Sequence, residues 1–150
     1  MPEVQWWRAV NQKLTSTDGR RWAFLSRYDI LDEIDKTKVY LRRWRIIMTP
    51  YGGLYVHKIM MSDGARPLHN HPYWFIGWII CGGYTEERPD GMFTLRRWRW
   101  RLMRRTALHA IRKLTRTPTW TVLITGPRRQ DFGYDTAVGI IRHKDVYSDG

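Results

Sequence analysis

The pentapeptide Leu68-His69-Asn70-His71-Pro72 constrains the fold of this chain more than any other feature. It leads directly into an apolar segment, Tyr73 to Cys81, which ends at Gly82-Gly83. Side chains two residues apart on a β-strand point to the same face. His69 and His71 are therefore predicted to present two imidazoles to one point.

Two imidazoles facing one point suggest a metal site, because neutral imidazole is the commonest protein ligand for metals. A third ligand must come from elsewhere in the chain, and His109 is available downstream. Three histidines would leave coordination positions open for water, oxygen or substrate. The pattern predicts a metal pocket inside a β-structure.

The composition is that of one globular domain. The chain has 150 residues, of which 43% are hydrophobic, so it can bury a proper core. Its single cysteine, Cys81, excludes an intramolecular disulfide and a thiolate metal cluster, and fits a reducing compartment. The longest apolar run, residues 73–83, is too short to span a bilayer. We expect a cytoplasmic protein without a membrane segment or signal peptide.

The chain is strongly basic, with 26 Lys and Arg against 14 Asp and Glu and a formal charge of +12. This charge attracts anions, whether nucleic acid, phosphorylated metabolites or an acidic partner. It does not choose among them.

Residues 1–36 are predicted to form a helical segment that packs on a β-domain over 37–150. A first helix begins at Pro2-Glu3 and carries apolar residues near helical spacing. A second covers Arg20 to Ile34, capped by Thr17 or Asp18. Its inner stripe is predicted to be Trp22, Leu25 and Tyr28.

From residue 38 onward the pattern is β. Short apolar and β-branched runs alternate with Gly and Pro turns, which is typical of a sandwich or barrel. Thr117-Pro118 is read as a turn that separates two of the strands. The predicted strands include 39–48 and 54–61 as a hairpin, then 73–81, 108–114, 120–125, 130–134 and 138–141.

The His pair and its surroundings resemble the first motif of the cupin superfamily, which is a glycine, His-x-His, a glutamate and a glycine. Gly64, the two histidines and Gly82 or Gly83 match this motif. Phe75 or Ile76 occupies the glutamate position, so that ligand is missing.

The second cupin motif supplies one further histidine, and His109 matches it in order along the chain. Arg104, Thr106 and Lys113 stand where that motif has Pro, Gly and Asn. The resemblance covers residues 38–141. Residues 55–87 and 120–129 are also similar to small uncharacterised cupin-like proteins of phages and bacteria.

The resemblance implies a mainly β protein, with a double-stranded β-helix, that is, a jelly-roll barrel, preceded by the N-terminal α-helices. It also implies a divalent metal in the barrel mouth, held by His69, His71 and His109. This neutral set resembles the three-histidine site of the cysteine dioxygenase branch, so Fe(II) is the first expectation, with Zn, Mn or Ni as alternatives.

Several other polar residues are candidates for the site. Tyr73 shares a face with the His pair, so its hydroxyl could reach a metal-bound ligand, or the residue could pack in the core with its hydroxyl hydrogen-bonded. Glu86 or Glu87 could enter the pocket as a replacement carboxylate or a general base, or both could lie at a solvated hairpin end. His57 could hydrogen-bond to a metal ligand, be a fourth ligand itself, or have a structural role.

Residues 97–101 alternate strictly between arginine and tryptophan. On one strand, Arg97, Arg99 and Arg101 would share a face that is either solvated or binds an anionic substrate through bidentate hydrogen bonds. Trp100 would line the same substrate site. Tryptophans beside a basic groove could also stack nucleobases.

Three functions are consistent with these features. The first is a metal-dependent cupin enzyme, such as an Fe(II) dioxygenase or related oxidoreductase, acting on a small anionic molecule. The second is a non-catalytic binding module that sequesters an anionic or nucleotide-like ligand. The third is a nucleic-acid-associated protein. A homodimer is compatible with each of them.

Overall fold

The computed structural model of this chain describes residues 23–32 and 35–142. The described part contains nine β-strands and no helix. The strands are β1 (Ala23–Leu31), β2 (Val39–Thr49), β3 (Gly52–Ile59), β4 (Phe75–Arg88), β5 (Gly91–Arg96), β6 (Trp100–Met103), β7 (Ala110–Thr125), β8 (Gly133–Thr136) and β9 (Gly139–Arg142).

Seven strands form one antiparallel sheet in the order β1-β2-β3-β7-β4-β5, with β6 paired to another part of β4. β8 and β9 form a separate hairpin. The order brings β3, β7 and β4 side by side although they are distant in sequence. The prediction of a mainly β protein is confirmed, as is the hairpin of β2 and β3.

The predicted second helix is wrong, because residues 23–31 form strand β1 and pair with β2. In β1, Ser26 is buried while Leu25 is 77% exposed, so the supposed inner stripe does not exist. Pairing with β2 at the edge of the sheet decides between the helical and the extended conformation of this segment. The first predicted helix lies outside the described residues.

The turn predicted at Thr117-Pro118 is also wrong, because β7 continues through these residues as one strand. Opposite them, the β4 register shifts between Ile79 and Cys81 and again next to Gly83. These irregularities allow the long β4 and β7 strands to stay paired on both sides of the proline. Proline has no backbone N–H to donate, which is compatible with such a bulged pairing.

The alternating Arg and Trp residues do not form one strand. β5 ends at Arg96 and β6 begins at Trp100, with a turn between them in which Trp98 has φ 69°. Both strands pair with β4, one on each side of its irregular segment, so the chain must turn between them. Arg97, Arg99 and Arg101 therefore do not share one strand face as predicted.

The core lies on the inner face of the sheet in two adjoining clusters. One cluster surrounds Ile79 and Tyr84 from β4, and the other surrounds Phe75 from the same strand. β4 therefore contributes to both. The full buried sets are Leu41, Ile59, Ile79, Tyr84 and Ile111, and Tyr55, Phe75, Met103 and Leu123.

Much of the tryptophan content lies on the outer face of the sheet rather than in the core. Trp78 is 47% exposed and stands opposite Trp100, which is 68% exposed. In the next row, Ile124, Ile76 and Leu102 lie side by side across three strands and are all exposed. The outer face is thus apolar, which an antiparallel sheet with one solvated face does not usually show.

Replacing Gly82 by alanine should lower the free energy of unfolding by about 2–4 kcal/mol. Gly82 has φ +82°, and an added Cβ would lie 2.6 Å from the buried Thr119 hydroxyl. Gly64 is the control, because it has φ +60° but nothing within 4 Å of its would-be Cβ. Urea unfolding of Gly64→Ala should show only the backbone cost, about 1 kcal/mol. Equal losses in the two variants would contradict the steric part of this argument.

Candidate metal centre

Three histidines converge in the structure, as the sequence predicts. One ring nitrogen from each of His69, His71 and His109 lies within 4.8 Å of those of the other two. The Nε2 atoms of His71 and His109 are 2.7 Å apart. His69 and His109 are buried, at 7% and 5% exposure. Among the described residues, this is the group whose donor atoms could hold a metal ion.

Backbone pairing brings the third histidine to the other two. The His69 N–H donates to the His109 carbonyl at 2.9 Å, and the His109 N–H donates back at 3.0 Å. The intervening Asn70 points the other way, and its Oδ1 accepts a hydrogen bond from the Gly133 N–H. The alternation that the sequence predicts for the His pair is therefore present in this short extended segment.

The imidazoles of His71 and His109 are suited to metal coordination because their surroundings favour the neutral ring. Burial lowers the pKa of His71 well below its usual value, and electrostatic interactions with His69, Arg101 and Arg43 lower it further. Burial likewise lowers the pKa of His109. Only the neutral ring can donate a lone pair to a metal. The nitrogen donor set fits Fe(II), Zn and other borderline divalent ions.

Aromatic rings enclose the three imidazoles. The Phe75 ring meets the His71 ring edge-on at a centroid distance of 5.0 Å. Phe132 lies 5.0 Å from His69, and Tyr134 lies 6.1 Å from it. Phe75 occupies one of the two positions at which the cupin resemblance expects a glutamate. A hydrophobic ring thus packs against the histidines there, and the donor set stays neutral.

Glu86 is fully buried and fixes His109. Its Oε2 lies 3.1 Å from His109 Nδ1, which leaves the Nε2 atom of the same ring facing His71. Arg88 and Arg101 pair with the same carboxylate. A carboxylate bound to the second nitrogen of a histidine sets its tautomer and orientation. Glu86 is therefore not at a solvated hairpin end; Glu87 is, with its side chain 40% exposed and paired with Arg112.

The histidines line a cavity of about 470 Å³ inside the sheet. Of the predicted substrate residues, Arg99 and Arg101 line this cavity, as does Tyr73. Trp100 borders it as well, but most of its surface is exposed on the outer face of the sheet. Arg101 also pairs with Glu86, so its charge is partly compensated. Arg97 lies elsewhere: its Nε donates to the Ile80 carbonyl, and its guanidinium lies over the Trp98 ring.

His57 lines the same cavity but does not join the three-histidine group. Its Nε2 accepts a hydrogen bond from Arg43 Nε at 2.8 Å. Burial, followed by the charge of Arg43, lowers the pKa of His57 well below its usual value. The lone pair of that nitrogen is already engaged, which accounts for a structural role.

Two residues of the site were not found from the sequence, Phe132 and Tyr134. They belong to the segment around β8 that His69 meets through an isolated bridge to Tyr134. A strand was predicted over 130–134, but nothing in its sequence signals which strand it faces.

Comparison with solved structures identifies the fold. The chain is similar to a cupin 2 conserved barrel domain protein from Rhodopseudomonas palustris, with TM-score 0.58, 12% identity and coverage of 82% of this chain and 86% of that one. It is similar to the polyketide cyclase RemF from Streptomyces resistomycificus, with TM-score 0.55, 11% identity and coverage of 65% and 72%. It is also similar to FeII HppE, with TM-score 0.55, 9% identity and coverage of 67% of this chain and 56% of that one.

These likenesses confirm the cupin fold that the His pair suggests. At such low sequence identity, the similarity shows the fold alone and not an activity. No family model matches the chain, and no curated protein matches it. The described residues contain no helix long and apolar enough to cross a membrane.

Proposed function

We propose that this protein is a metal-dependent cupin oxidoreductase that acts on a small anionic molecule, with Fe(II) held by His69, His71 and His109. The observation that supports it is the convergence of three imidazoles at one cavity. FeII HppE, an Fe(II) protein by its name, is among the similar folds. When bound, a metal with open positions acts as a Lewis acid and a site for oxygen.

The residues around the histidines would support this chemistry in three ways. Glu86 holds His109 so that its Nε2 faces the ligand point. Phe75 and Phe132 exclude water from the imidazoles, which strengthens electrostatic interactions there. Tyr73 lines the cavity, and we propose that its hydroxyl donates a hydrogen bond to the bound molecule.

The cavity favours an anion. Five arginines line it, against two aspartates. Asp63 already accepts hydrogen bonds from the Tyr40 hydroxyl and the Ile111 N–H, and Asp131 pairs with Arg128. Three of the arginines form ion pairs: Arg66 with Asp32, Arg101 with Glu86 and Arg128 with Asp131. The positive potential that remains would raise the local concentration of an anionic substrate. The arginines are Arg43, Arg66, Arg99, Arg101 and Arg128.

Oxygen consumption tests the proposal. Protein loaded anaerobically with Fe(II) is mixed with a panel of small carboxylates and phosphate esters, and oxygen uptake is recorded. We expect at least one anion to accelerate uptake above that of free Fe(II), and His109→Ala to reduce it to that background. If no anion in the panel does so while the protein binds anions without metal, the oxidoreductase assignment is wrong.

One observation favours the non-catalytic binding module instead. The carboxylates beside the cavity are all engaged: Glu86 by two arginines, Asp63 by Tyr40 and Asp131 by Arg128. These carboxylates are therefore poorly placed to be the general base of a catalytic mechanism. In this alternative, an anion binds with the same affinity before and after metal removal and is recovered unchanged.

A further inference from the structure

Two arginines at one wall of the cavity, one lining it and one behind it, form no ion pair with a carboxylate of the described residues. Arg43 and Arg45 lie on β2 with Trp44 between them, so both point to the inner face. Arg45 is only 7% exposed, and Arg43 lines the cavity. Within 23–32 and 35–142, no acidic side chain forms an ion pair with either guanidinium, whereas the neighbouring Arg42 pairs with Asp29.

The two guanidiniums gather around one phenol. The Arg43 Cζ lies 5.7 Å and the Arg45 Cζ 4.9 Å from the centroid of the Tyr28 ring. Arg43 Nη1 also donates to the Tyr28 hydroxyl at 3.0 Å. Burial would raise the pKa of that hydroxyl, but the adjacent positive charges outweigh it and the pKa is lowered. The cluster is strongly electropositive for a buried site.

Buried donors without acceptors surround the same cluster. Arg45 Nε and Nη1, Ser26 Oγ and Thr121 Oγ1 are buried and have no hydrogen-bond partner among the residues that the structure describes. Ser26 is the β-pairing partner of Arg45, and Thr121 is that of His57. A buried polar group normally has a partner, and a buried charge normally has a counter-charge. These groups lie in two neighbouring rows of the sheet, one containing Ser26 and Arg45 and the other Arg43 and Thr121. Donors placed in this way suit an oxyanion.

We infer that Arg43 and Arg45, with Tyr28 and Thr121, form the recognition site for a carboxylate group of the molecule that the protein binds. This inference rests on the proposed function only where it concerns the metal. The binding of the carboxylate does not depend on it. Arg43 and Thr121 both line the cavity and would contact the carboxylate. Arg45 is a positioning residue that holds Tyr28 and adds positive potential from behind the wall.

A carboxylate fits this wall better than a phosphate does. The lining next to it is largely apolar, with Phe75, Leu123 and Ile79. Desolvation cost rises steeply with charge, so a monoanion with an apolar body enters such a cavity more readily than a dianion. Guanidinium groups bind a planar carboxylate bidentately. The ligand class is therefore a small acid with one charged head and a hydrophobic remainder.

Thermal unfolding with matched ligands tests the site. The full chain, with and without Zn, is heated in the presence of acetate, butyrate or phenylacetate, with phenylacetamide as the neutral control and inorganic phosphate as the competing anion. We expect a carboxylate to raise the melting temperature and phenylacetamide to have no effect. Arg43→Met should weaken carboxylate binding at least tenfold, whereas Arg42→Met, on the opposite face, should leave it unchanged.

A second variant separates a binding role from a structural one. Arg45→Met removes a buried charge that lacks a counter-charge, so the ligand-free protein should melt about 2–4 °C higher while carboxylate binding weakens. A lower melting temperature would show that Arg45 is structural and would overturn the inference. So would tighter binding of phosphate than of every carboxylate, or carboxylate binding that Arg43→Met does not change. Because the assay measures binding without turnover, failure of the oxidoreductase assignment would not affect it.

Discussion

Replacing Glu86 by alanine should destabilise the protein by about 3–5 kcal/mol, since it leaves buried charged partners uncompensated. The Glu86 side chain is fully buried, and that of its partner Arg101 is 10% exposed. The same carboxylate orients His109. Urea unfolding of the metal-free protein measures this loss without contribution from metal binding.

Glu87→Ala is the matched control, because the next residue on the same strand also pairs with an arginine. Its side chain is 40% exposed and that of Arg112 is 22% exposed, so this pair should contribute about 1 kcal/mol or less. If Glu86→Ala fails to fold, Glu86→Gln keeps the shape and tests the charge. We expect Glu86→Gln to weaken metal affinity by about 10–100-fold. A stability loss in Glu86→Ala no larger than that in Glu87→Ala would contradict the proposed role.

Removing one metal ligand should have the largest effect on metal affinity. His71→Ala and His109→Ala each delete one of three imidazoles, so affinity for Zn or Fe(II) should fall by more than the roughly 100-fold typical of an outer-shell change. Competition with a chromophoric chelator measures the affinity, and circular dichroism verifies that each variant is folded.

His57→Ala provides the control for these variants. His57 is also buried and lines the same cavity, but its Nε2 accepts a hydrogen bond from Arg43. We expect the metal affinity of His57→Ala to stay within about tenfold of the wild-type value. Equal losses in His57→Ala and His109→Ala would show that the metal, if bound, is not held by the three proposed ligands.

The sequence predicted the part of the site that depends on local spacing. His69 and His71 are two residues apart, and an extended backbone places both rings on one side. His109 could be assigned only by its order in the cupin motifs. Its actual position depends on a backbone bridge to His69 across forty residues of sequence.

The errors arose where pairing between distant segments decides the structure. Leu25 and Tyr28 are three residues apart, which suits a helix. The segment instead forms a strand because its backbone pairs with strand β2. Glu86 follows the glycine pair Gly82-Gly83, and the sequence alone left open a solvated hairpin end for it. It is buried because β4 continues from Phe75 to Arg88 and stays paired with β7 along this length.

The metal content of the full chain tests the central claim most directly. Protein purified without chelators or a metal-binding tag is exposed in turn to Fe(II), Mn, Ni and Zn, separated from free ions and measured by elemental analysis. The account predicts about one tightly held ion per chain for Fe(II) or Zn, lost in His69→Ala and His71→Ala. Wild-type protein that retains less than about 0.1 ion per chain for every metal, or variants that retain as much as wild type, would contradict it.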